Sequence, residues 1–517
     1  MIHSALVAGP DPTSVAAWFR RRAEREPTNP ALTFEGRTYR YGDLQSEAEK
    51  LSAVLAAGGV GEGDRVAFVG SNHVIAPIAL LAASRIGAIF VPVNFRLNAD
   101  ELAAIVKDAG VHTLIADQAR SSVIEPVRRD LPCVRYLHLS ETRDGWESLA
   151  GLTSAVVAVP SAVERRPDDI AILMYTSGTT GKPKGVMMSN DNLWFSTLSG
   201  VLTVDLTSRD VTLICLPLFH AAGLCMLLLP TLMAGAHAVL LPGFDAERVL
   251  TELERHRVTV SMLVPTMMLM VSQCAAFETR DLSAMRLVIA GAAPVPEPQL
   301  RVYASRGIPV SHCYGMTEST SLVSSLAPSQ AMVKLGSCGR PALMSEMRLI
   351  DADGRTVTVP GERGELCLRG RCITRGYWNQ PEATAAAIRN GWLHSGDVGY
   401  FDAEGYFYIC DRLKDMIISG GENVYPAEVE SVLYEHPSIA QVAVIGIPDE
   451  RWGERVAAVA VIKPQQSLDL DSLRAYAEKK LARYKLPSAL FVVDALPVNS
   501  AGKLLKTELR RRFASPC

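Results

Sequence analysis

The chain is 517 residues long, too long for a single hydrophobic core, so several domains are expected. Its hydrophobic content of 48% is that of an ordinary globular protein, and a formal charge of −3 gives no reason to expect nucleic acid or an acidic membrane surface as a partner. The opening Met1-Ile2-His3-Ser4-Ala5-Leu6 lacks the basic and apolar regions of a secretion signal.

In chain order, Arg65–Val69 reads as a strand, 75–86 as a buried helix rich in Ala, Leu and Ile, and 88–93 as a second strand. That βαβ rhythm predicts parallel sheet covered by helices. An apolar strand follows at 170–174. Residues 211–244 contain no Asp, Glu, Lys or Arg, but Pro217, Pro230, Pro242, Gly223 and Gly235 break the run. A buried strand, a buried helix and a second strand fit it better than a transmembrane span. The rhythm recurs with a strand at 238–241, a helix at 245–256 and a strand at 260–264. Leu287–Ala290 then runs into the tight turn Gly291-Ala292-Ala293-Pro294. Strand ends of this kind are where α/β sheets place ligands.

From about residue 336 the texture changes to short strands and Gly-rich turns, which predicts a small β-barrel-like subdomain. After Lys414 a compact α+β unit is expected: a helix over Pro426–Tyr434, strands near 440–447 and 455–462, a helix over 470–481 and a strand near 490–493. The fold class is therefore α/β. A large N-terminal domain, 1–413, is expected to carry two βαβ-layered sheets and the β subdomain, with a small α+β domain, 414–517, after it. Of the ten cysteines, none forms Cys-x-x-Cys or a zinc-spaced group. Cys215, Cys367 and Cys410 lie in apolar runs and read as small buried hydrophobes of a reducing compartment, which predicts a cytoplasmic protein.

The most informative stretch is Tyr175-Thr176-Ser177-Gly178-Thr179-Thr180-Gly181-Lys182-Pro183-Lys184-Gly185. Its small and hydroxylated residues offer hydroxyls and unencumbered N–H groups, and its lysines add positive charge, which is the chemistry of a phosphate cradle. It is not the common P-loop, because Pro183 forbids a helix directly after Lys182. Further motifs follow in order: Leu216-Pro217-Leu218-Phe219-His220, Tyr314-Gly315-Met316-Thr317-Glu318, Ser395-Gly396-Asp397, Asp411-Arg412-Leu413-Lys414-Asp415, Ser419-Gly420-Gly421-Glu422-Asn423, and Pro497-Val498-Asn499-Ser500-Ala501-Gly502-Lys503.

Together these motifs resemble those of the adenylate-forming superfamily, and the acyl-CoA synthetase branch matches best, over nearly the whole chain. The resemblance implies an ATP-dependent carboxylate–CoA ligase that uses ATP, Mg²⁺ and coenzyme A. It implies that Thr176, Ser177, Gly178, Thr179, Thr180 and Gly181 hold the β- and γ-phosphates, with Lys184 at the mobile end of that loop. Thr317 would meet the α-phosphate and Glu318 would hold Mg²⁺, a hard cation that favours oxygen ligands. Tyr314, with Gly315 beside it, and Gly291, Ala292 and Ala293 would bracket the adenine. Asp397 would accept from the ribose hydroxyls, supported by Arg412. Lys503 would bridge carboxylate and α-phosphate in the first step. Lys414 occupies the family's interdomain hinge, Gly420 and Gly421 would line the pantetheine tunnel, and His220 stands at its gate. Taken alone, His220 reads as a core histidine and Lys503 as solvated surface.

An apolar fatty or aromatic acid is favoured as substrate, since Ala, Val, Met and Leu dominate around the expected acyl site. The alternative is a stand-alone adenylating enzyme that loads an acyl or aryl acid onto a carrier protein. An amino-acid-activating domain is disfavoured because Phe219 is followed by His220 where such domains commonly carry an aspartate. A luciferase-like oxygenase has no specific support, and intact Lys503, Glu318 and Asp397 argue against a catalytically dead scaffold. No transmembrane segment is expected, and a homodimer is left open.

Overall fold

The computed structural model describes residues 13–176, 183–420, 422–449, 451–498 and 504–513. The chain divides into two compact units, one of residues 1–347 and 368–394, the other of residues 348–367 and 395–517.

The first unit contains two sheets. In one, the order is Glu147–Ser148, Arg135–His138, Thr113–Ala116, Arg65–Val69, Ile89–Val93, Ile170–Thr176, Lys184–Ser189. Every pairing in it is parallel except the last, the hairpin of Ile170–Thr176 with Lys184–Ser189. The parallel strands are near-continuous apolar runs, as strands buried on both faces must be. In the other sheet, parallel pairing runs from Val310–Met316 through Leu287–Ala290, Val260–Leu263, Val211–Ile214 and His237–Leu240 to Pro30–Phe34. One core serves both sheets: Phe90 and Ile172 of the first and Met262 and Ile289 of the second pack with Leu80, Leu193 and Leu228 of the helices.

Local chemistry accounts for the helix ends. Asn98 caps the Ala99–Ala109 helix with Glu101 reciprocating, and Gly110 ends it at φ +60°. The uncharged 211–244 stretch becomes a strand, a helix and a strand, as its prolines and glycines require. Its helix begins as a π-helix over Ala222–Leu228. A Cβ on Gly223 would stand 2.5 Å from the Pro217 carbonyl oxygen, so only glycine fits that approach. Pro230, two residues past the π segment, has no N–H to continue a regular ladder. Among the described residues no helix is long and apolar enough to cross a membrane.

In the second unit, residues 395–401 pair antiparallel with Phe407–Arg412. The β-rich region has an open strand order and does not close into a barrel among the described residues. The C-terminal part is α+β. Glu422–Val424, Ile417–Ser419, Gly453–Ile462 and Ile439–Asp449 form its sheet, and Ala489–Val492 adds in parallel to Gly453–Ile462. Strand alternation sends Val442 and Val444 into a core with Val429, Leu433 and Leu473, and Ala443 and Ile445 into one with Leu509 of the Lys506–Phe513 helix. The 470–481 helix is shorter than its pattern suggests and ends at Ala477.

Candidate active site

The strand Ile170–Thr176 ends at the first hydroxyl of the phosphate-cradle string, and Lys184–Ser189 begins at its last lysine. Thr176 and Lys184 are cross-strand partners, as are Tyr175 and Gly185, so both flanks of the string are fixed by the hairpin. Ser177, Gly178, Thr179, Thr180 and Gly181 lie outside the described residues. Tyr175 is anchored from the other side, where its hydroxyl donates to Asp108 Oδ2 at 2.5 Å. Burial, and then the Asp108 carboxylate, push the Tyr175 pKa up, so the phenol remains a donor.

Glu318 stands in a short turn, Thr317–Ser319, between two antiparallel strands, Val310–Met316 and Ser321–Leu326. The register slips between Tyr314 and Gly315. At that bulge a Cβ on Gly315 would lie 1.6 Å from the Ser321 carbonyl oxygen, which makes glycine obligatory. Thr320 and Ser321 follow at φ +57° and +128°, two consecutive non-glycine residues in the left-handed half of the map. The turn is held despite that cost. Ser319 Oγ receives the Met316 N–H at 3.0 Å, Thr320 Oγ1 donates to the Cys372 carbonyl at 2.7 Å, and Ser196 Oγ donates to the Thr320 carbonyl at 3.0 Å.

The segment 374–378 joins this turn to the hairpin. The Thr374 N–H donates to the Glu318 carbonyl at 2.8 Å, and the Trp378 N–H to the Gly185 carbonyl at 2.7 Å. The Thr374 hydroxyl donates to the Met187 carbonyl at 2.6 Å. Tyr377 Oη donates to Glu318 Oε1 at 2.9 Å, and Lys184 Nζ lies 4.8 Å from the centre of the Tyr377 ring. Among the described residues no other side chain hydrogen-bonds the half-buried Glu318 carboxylate, so its second oxygen is available to a hard cation. The donor set fits Mg²⁺: a single carboxylate with one oxygen uncommitted, next to a loop suited to phosphates.

Gly291 closes the strand Leu287–Ala290, and Ala292 takes φ +69°. Ala292 and Ala293 are exposed, as a surface for a planar base requires, whereas Gly291 is buried against Cys313 and Met262. His312 ties this turn to the next strands: its Nδ1 is 2.7 Å from the Ser337 carbonyl and its ring also faces the Ala293 backbone. Burial lowers the His312 pKa. Tyr314, two residues on, is half-buried on the same strand.

His220 follows Phe219 in the turn that enters the π-helix; the two rings are 4.8 Å apart, and Phe95 meets Phe219 edge-on at 5.5 Å. Its Nε2 is buried without a hydrogen-bond partner among the described residues. Burial, with Arg96 adding to it, brings the His220 pKa down to about 4, so the imidazole is neutral at physiological pH. An unpartnered basic nitrogen is costly to bury and is common where a ligand completes it.

The remaining residues lie in the second unit. Asp397 is buried and faces Arg412, its cross-strand partner, with Arg412 Nε 2.7 Å from Asp397 Oδ1. Ser395 and Gly396 form the approach to it: Ser395 Oγ donates to the Leu366 carbonyl and receives the Asp397 N–H, and Gly396 stands at φ +68°. Lys414 is exposed in the one-turn 3₁₀ segment Leu413–Asp415. On either side of it, Asp411 Oδ2 receives the Ala427 N–H at 2.7 Å and Asp415 Oδ1 pairs with Arg510 at 2.9 Å. Gly420 sits at φ +60°, and a Cβ there would come 2.7 Å from the Trp452 ring. Gly421 and Lys503 lie outside the described residues. The residues that bracket 499–503 are paired, Val498 with Leu504 in a β-bridge and the Leu505 N–H with the Pro497 carbonyl at 2.9 Å.

Tyr377, Trp378 and Asp108 are absent from the reading of the sequence alone. Trp378 Nε1 donates to the Asp108 carbonyl at 3.2 Å, so Asp108 holds both the strand before the phosphate string and the segment that carries Tyr377. No spacing rule links residues 108, 175 and 377; the only local signal is an aromatic pair after Gly376 in an otherwise polar stretch.

Two α/β sheets, with an acidic turn tied to the strand that leaves the phosphate-cradle string, suit an enzyme that handles nucleotide phosphates. Residues 19–378 match the model of the AMP-binding enzyme family, and residues 428–503 that of the AMP-binding enzyme C-terminal domain. The chain is 40% identical over 499 residues to a feruloyl-CoA synthase of Amycolatopsis, covering 96% of this chain and 99% of that one. It is 38% identical to a long-chain-fatty-acid–CoA ligase of Mycobacterium tuberculosis, over 92% of this chain and 93% of that one. Among solved structures, the o-succinylbenzoate coenzyme A synthetase of Bacillus subtilis, in complex with ATP and magnesium ion, is similar at 34% identity and a TM-score of 0.85, over 96% and 99% of the two chains. The chain belongs to the AMP-binding enzyme family, in its acyl-CoA synthetase branch, and is an AMP-forming acid–thiol ligase.

Proposed function

We propose that this protein activates an apolar carboxylic acid, fatty or aromatic, as its acyl-adenylate with release of pyrophosphate, and then transfers the acyl group to the thiol of coenzyme A. The observation that carries this is the Glu318 turn bound to the exit of the phosphate string through Thr374, Tyr377 and Trp378, with Glu318 and Lys184 meeting the same Tyr377 ring and one Glu318 oxygen unpartnered among the described residues.

In the first step two anions must be brought together, so the work is positioning and charge neutralisation. Glu318 would hold Mg²⁺, which supplies positive charge to phosphate oxygens. Thr176, Ser177, Gly178, Thr179, Thr180 and Gly181 donate to the β- and γ-phosphates, Lys184 adds a mobile charge, and Thr317 donates to the α-phosphate. The exposed Ala292-Ala293 turn and Tyr314 hold the base, with Gly315 allowing the bulge that presents Thr317. Asp397 accepts from the ribose hydroxyls while Arg412 balances its charge. Lys503 neutralises the charge that grows between carboxylate and α-phosphate.

For the second step the working boundary is 413/414, with Lys414 as the pivot of residues 414–517. Gly420 and Gly421 would line the path of the pantetheine arm and His220 would act as its gate, a role its neutral imidazole, with Nε2 unpartnered among the described residues, supports. The apolar acid fits the feruloyl and long-chain substrates in the names of the two relatives. The use of ATP and coenzyme A supports a cytoplasmic location.

ATP–pyrophosphate exchange across fatty, aryl and amino acids, followed by CoA with the best acid, tests this reading. Exchange with an apolar acid and thioester formation on CoA are expected. Exchange that yields thioester only on an acyl carrier protein would transfer the enzyme to the carrier-loading class, and no exchange with any acid would overturn the assignment.

A further inference from the structure

Tyr377 stands between the two charges that the proposed adenylation depends on, and its position is fixed independently of either. Its N–H donates to Thr384 Oγ1 at 2.9 Å, and the residue forms an antiparallel bridge with Val186. The next residue is held by its backbone to Gly185 and by its indole to Asp108. The two neighbouring side chains diverge: the Trp378 indole is held at the Asp108 carbonyl and the Tyr377 hydroxyl at Glu318.

The ring does two jobs there. Its hydroxyl donates to Glu318 Oε1 at 2.9 Å, and its face receives Lys184 Nζ at 4.8 Å from the centroid. The phenol O–H is the donor of that bond, since an ionised carboxylate can only accept. A flexible acid and a flexible ammonium near one ring would otherwise satisfy each other, and a Glu–Lys pair would remove the negative charge a cation needs and the positive charge a phosphate needs. A neutral donor for the acid and a π face for the ammonium hold both charges without cancelling either.

We propose that Tyr377 is a positioning residue for the adenylating half-reaction: its hydroxyl sets the Glu318 carboxylate for Mg²⁺ while its ring holds the Lys184 ammonium. The proposal rests on the ligase reading above and adds a residue that none of the sequence motifs singled out.

The test compares Tyr377→Phe, which keeps the ring and loses the hydroxyl, with Tyr377→Leu, which loses both. Binding of ATP is measured by calorimetry with no acid present, once with Mg²⁺ and once with EDTA. Thioester formation from supplied acyl-adenylate and CoA reports on the fold and the second half-reaction. Tyr377→Phe is expected to weaken binding of ATP with Mg²⁺ about tenfold, the effect of one hydrogen bond to a charged group. Its binding in EDTA and its thioester formation stay at wild-type level. Tyr377→Leu weakens binding under both conditions. Tyr377→Phe that binds ATP with Mg²⁺ like the wild type, or loses equally in EDTA, overturns the proposal. Loss of thioester formation in Tyr377→Phe does so too, because the residue would then be structural only. Wild-type protein that binds no ATP overturns the ligase reading as well, whereas an indifferent Tyr377→Phe in a competent enzyme removes this inference alone.

Discussion

Glu318 and Asp397 are both acids assigned to one nucleotide, and they are held in opposite ways. Glu318 is half-buried, receives a neutral tyrosine hydroxyl and, among the described residues, keeps its second oxygen uncommitted. Asp397 is buried with a guanidinium 2.7 Å away. A carboxylate whose charge is already balanced has only lone pairs left to give, which suits sugar hydroxyls. A carboxylate with neutral donors keeps its full charge, which suits a divalent cation. The same contrast extends to their backbones. The Glu318 turn is tied by backbone bonds from Thr374 and hydroxyls from Ser196 and Thr320. The segment after Arg412 is one 3₁₀ turn whose neighbours are held mainly by side chains, Asp411 at the Ala427 N–H and Asp415 at Arg510. Side-chain contacts of this kind yield more readily than a turn tied by backbone bonds, which suits the pivot proposed at Lys414.

Neutralising each acid separates the two roles, and this is the largest effect expected. Glu318→Gln should lower the rate of adenylate formation by about a hundredfold or more, with the loss deepest at low Mg²⁺. Asp397→Asn should instead raise KM for ATP about tenfold with its Mg²⁺ dependence unchanged. Identical Mg²⁺ profiles for the two variants would erase the distinction.

A smaller effect concerns two buried histidines, His220 with no hydrogen-bond partner for Nε2 among the described residues and His237 with Thr33 Oγ1 at 2.8 Å from its Nε2. His220 and His237 both have pKa values brought down to about 4, by burial first and then by Arg96 and His256 respectively. Above the unfolded value near 6.5 both states are neutral; between there and about 4 only the unfolded chain takes up the proton. Stability should therefore fall as pH drops through that window, by about 2 kcal/mol per histidine at pH 4.5. Chemical denaturation at pH 7 and pH 4.5 checks it, and His220→Gln should reduce the drop. A drop unchanged in that variant would show that His220 is not held neutral.

The hinge gives the smallest of the three. Lys414→Pro restricts Leu413 as well as Lys414. It is expected to slow thioester formation from supplied acyl-adenylate about tenfold, an order-of-magnitude expectation for a gated step, while exchange is retained. Equal slowing of both half-reactions would move the pivot elsewhere.

The strands and helices of the large unit were legible wherever one local rule decided them. Arg65–Val69, Ile89–Val93 and Leu287–Ala290 are apolar runs bounded by turn residues, whereas the strand Lys184–Ser189 was not legible, since Pro183 argued only against a helix directly after Lys182. The candidate acids, lysines and His220 were singled out only through short motifs that resemble the family's. The contacts that aim them were not. Tyr377 and Glu318 are 59 residues apart, and Trp378 and Asp108 are 270 apart, so only the folded sheet brings them together. The π-helix was equally silent in the sequence, because it follows from the fit of Gly223 against two carbonyls and from Pro230 packing near Gly200. The barrel-like reading of the β-rich stretch gave way to an open order, since hairpin spacing fixes neighbours and not closure.

The most direct measurement is a rapid-quench assay of wild-type enzyme with Mg²⁺, ATP and its preferred acid, without CoA. About one pyrophosphate per active site should be released before turnover stalls, as expected when a bound adenylate waits for its acceptor, and later addition of CoA should convert the bound acyl group to thioester. Pyrophosphate that appears only when CoA is already present would contradict the two-step account.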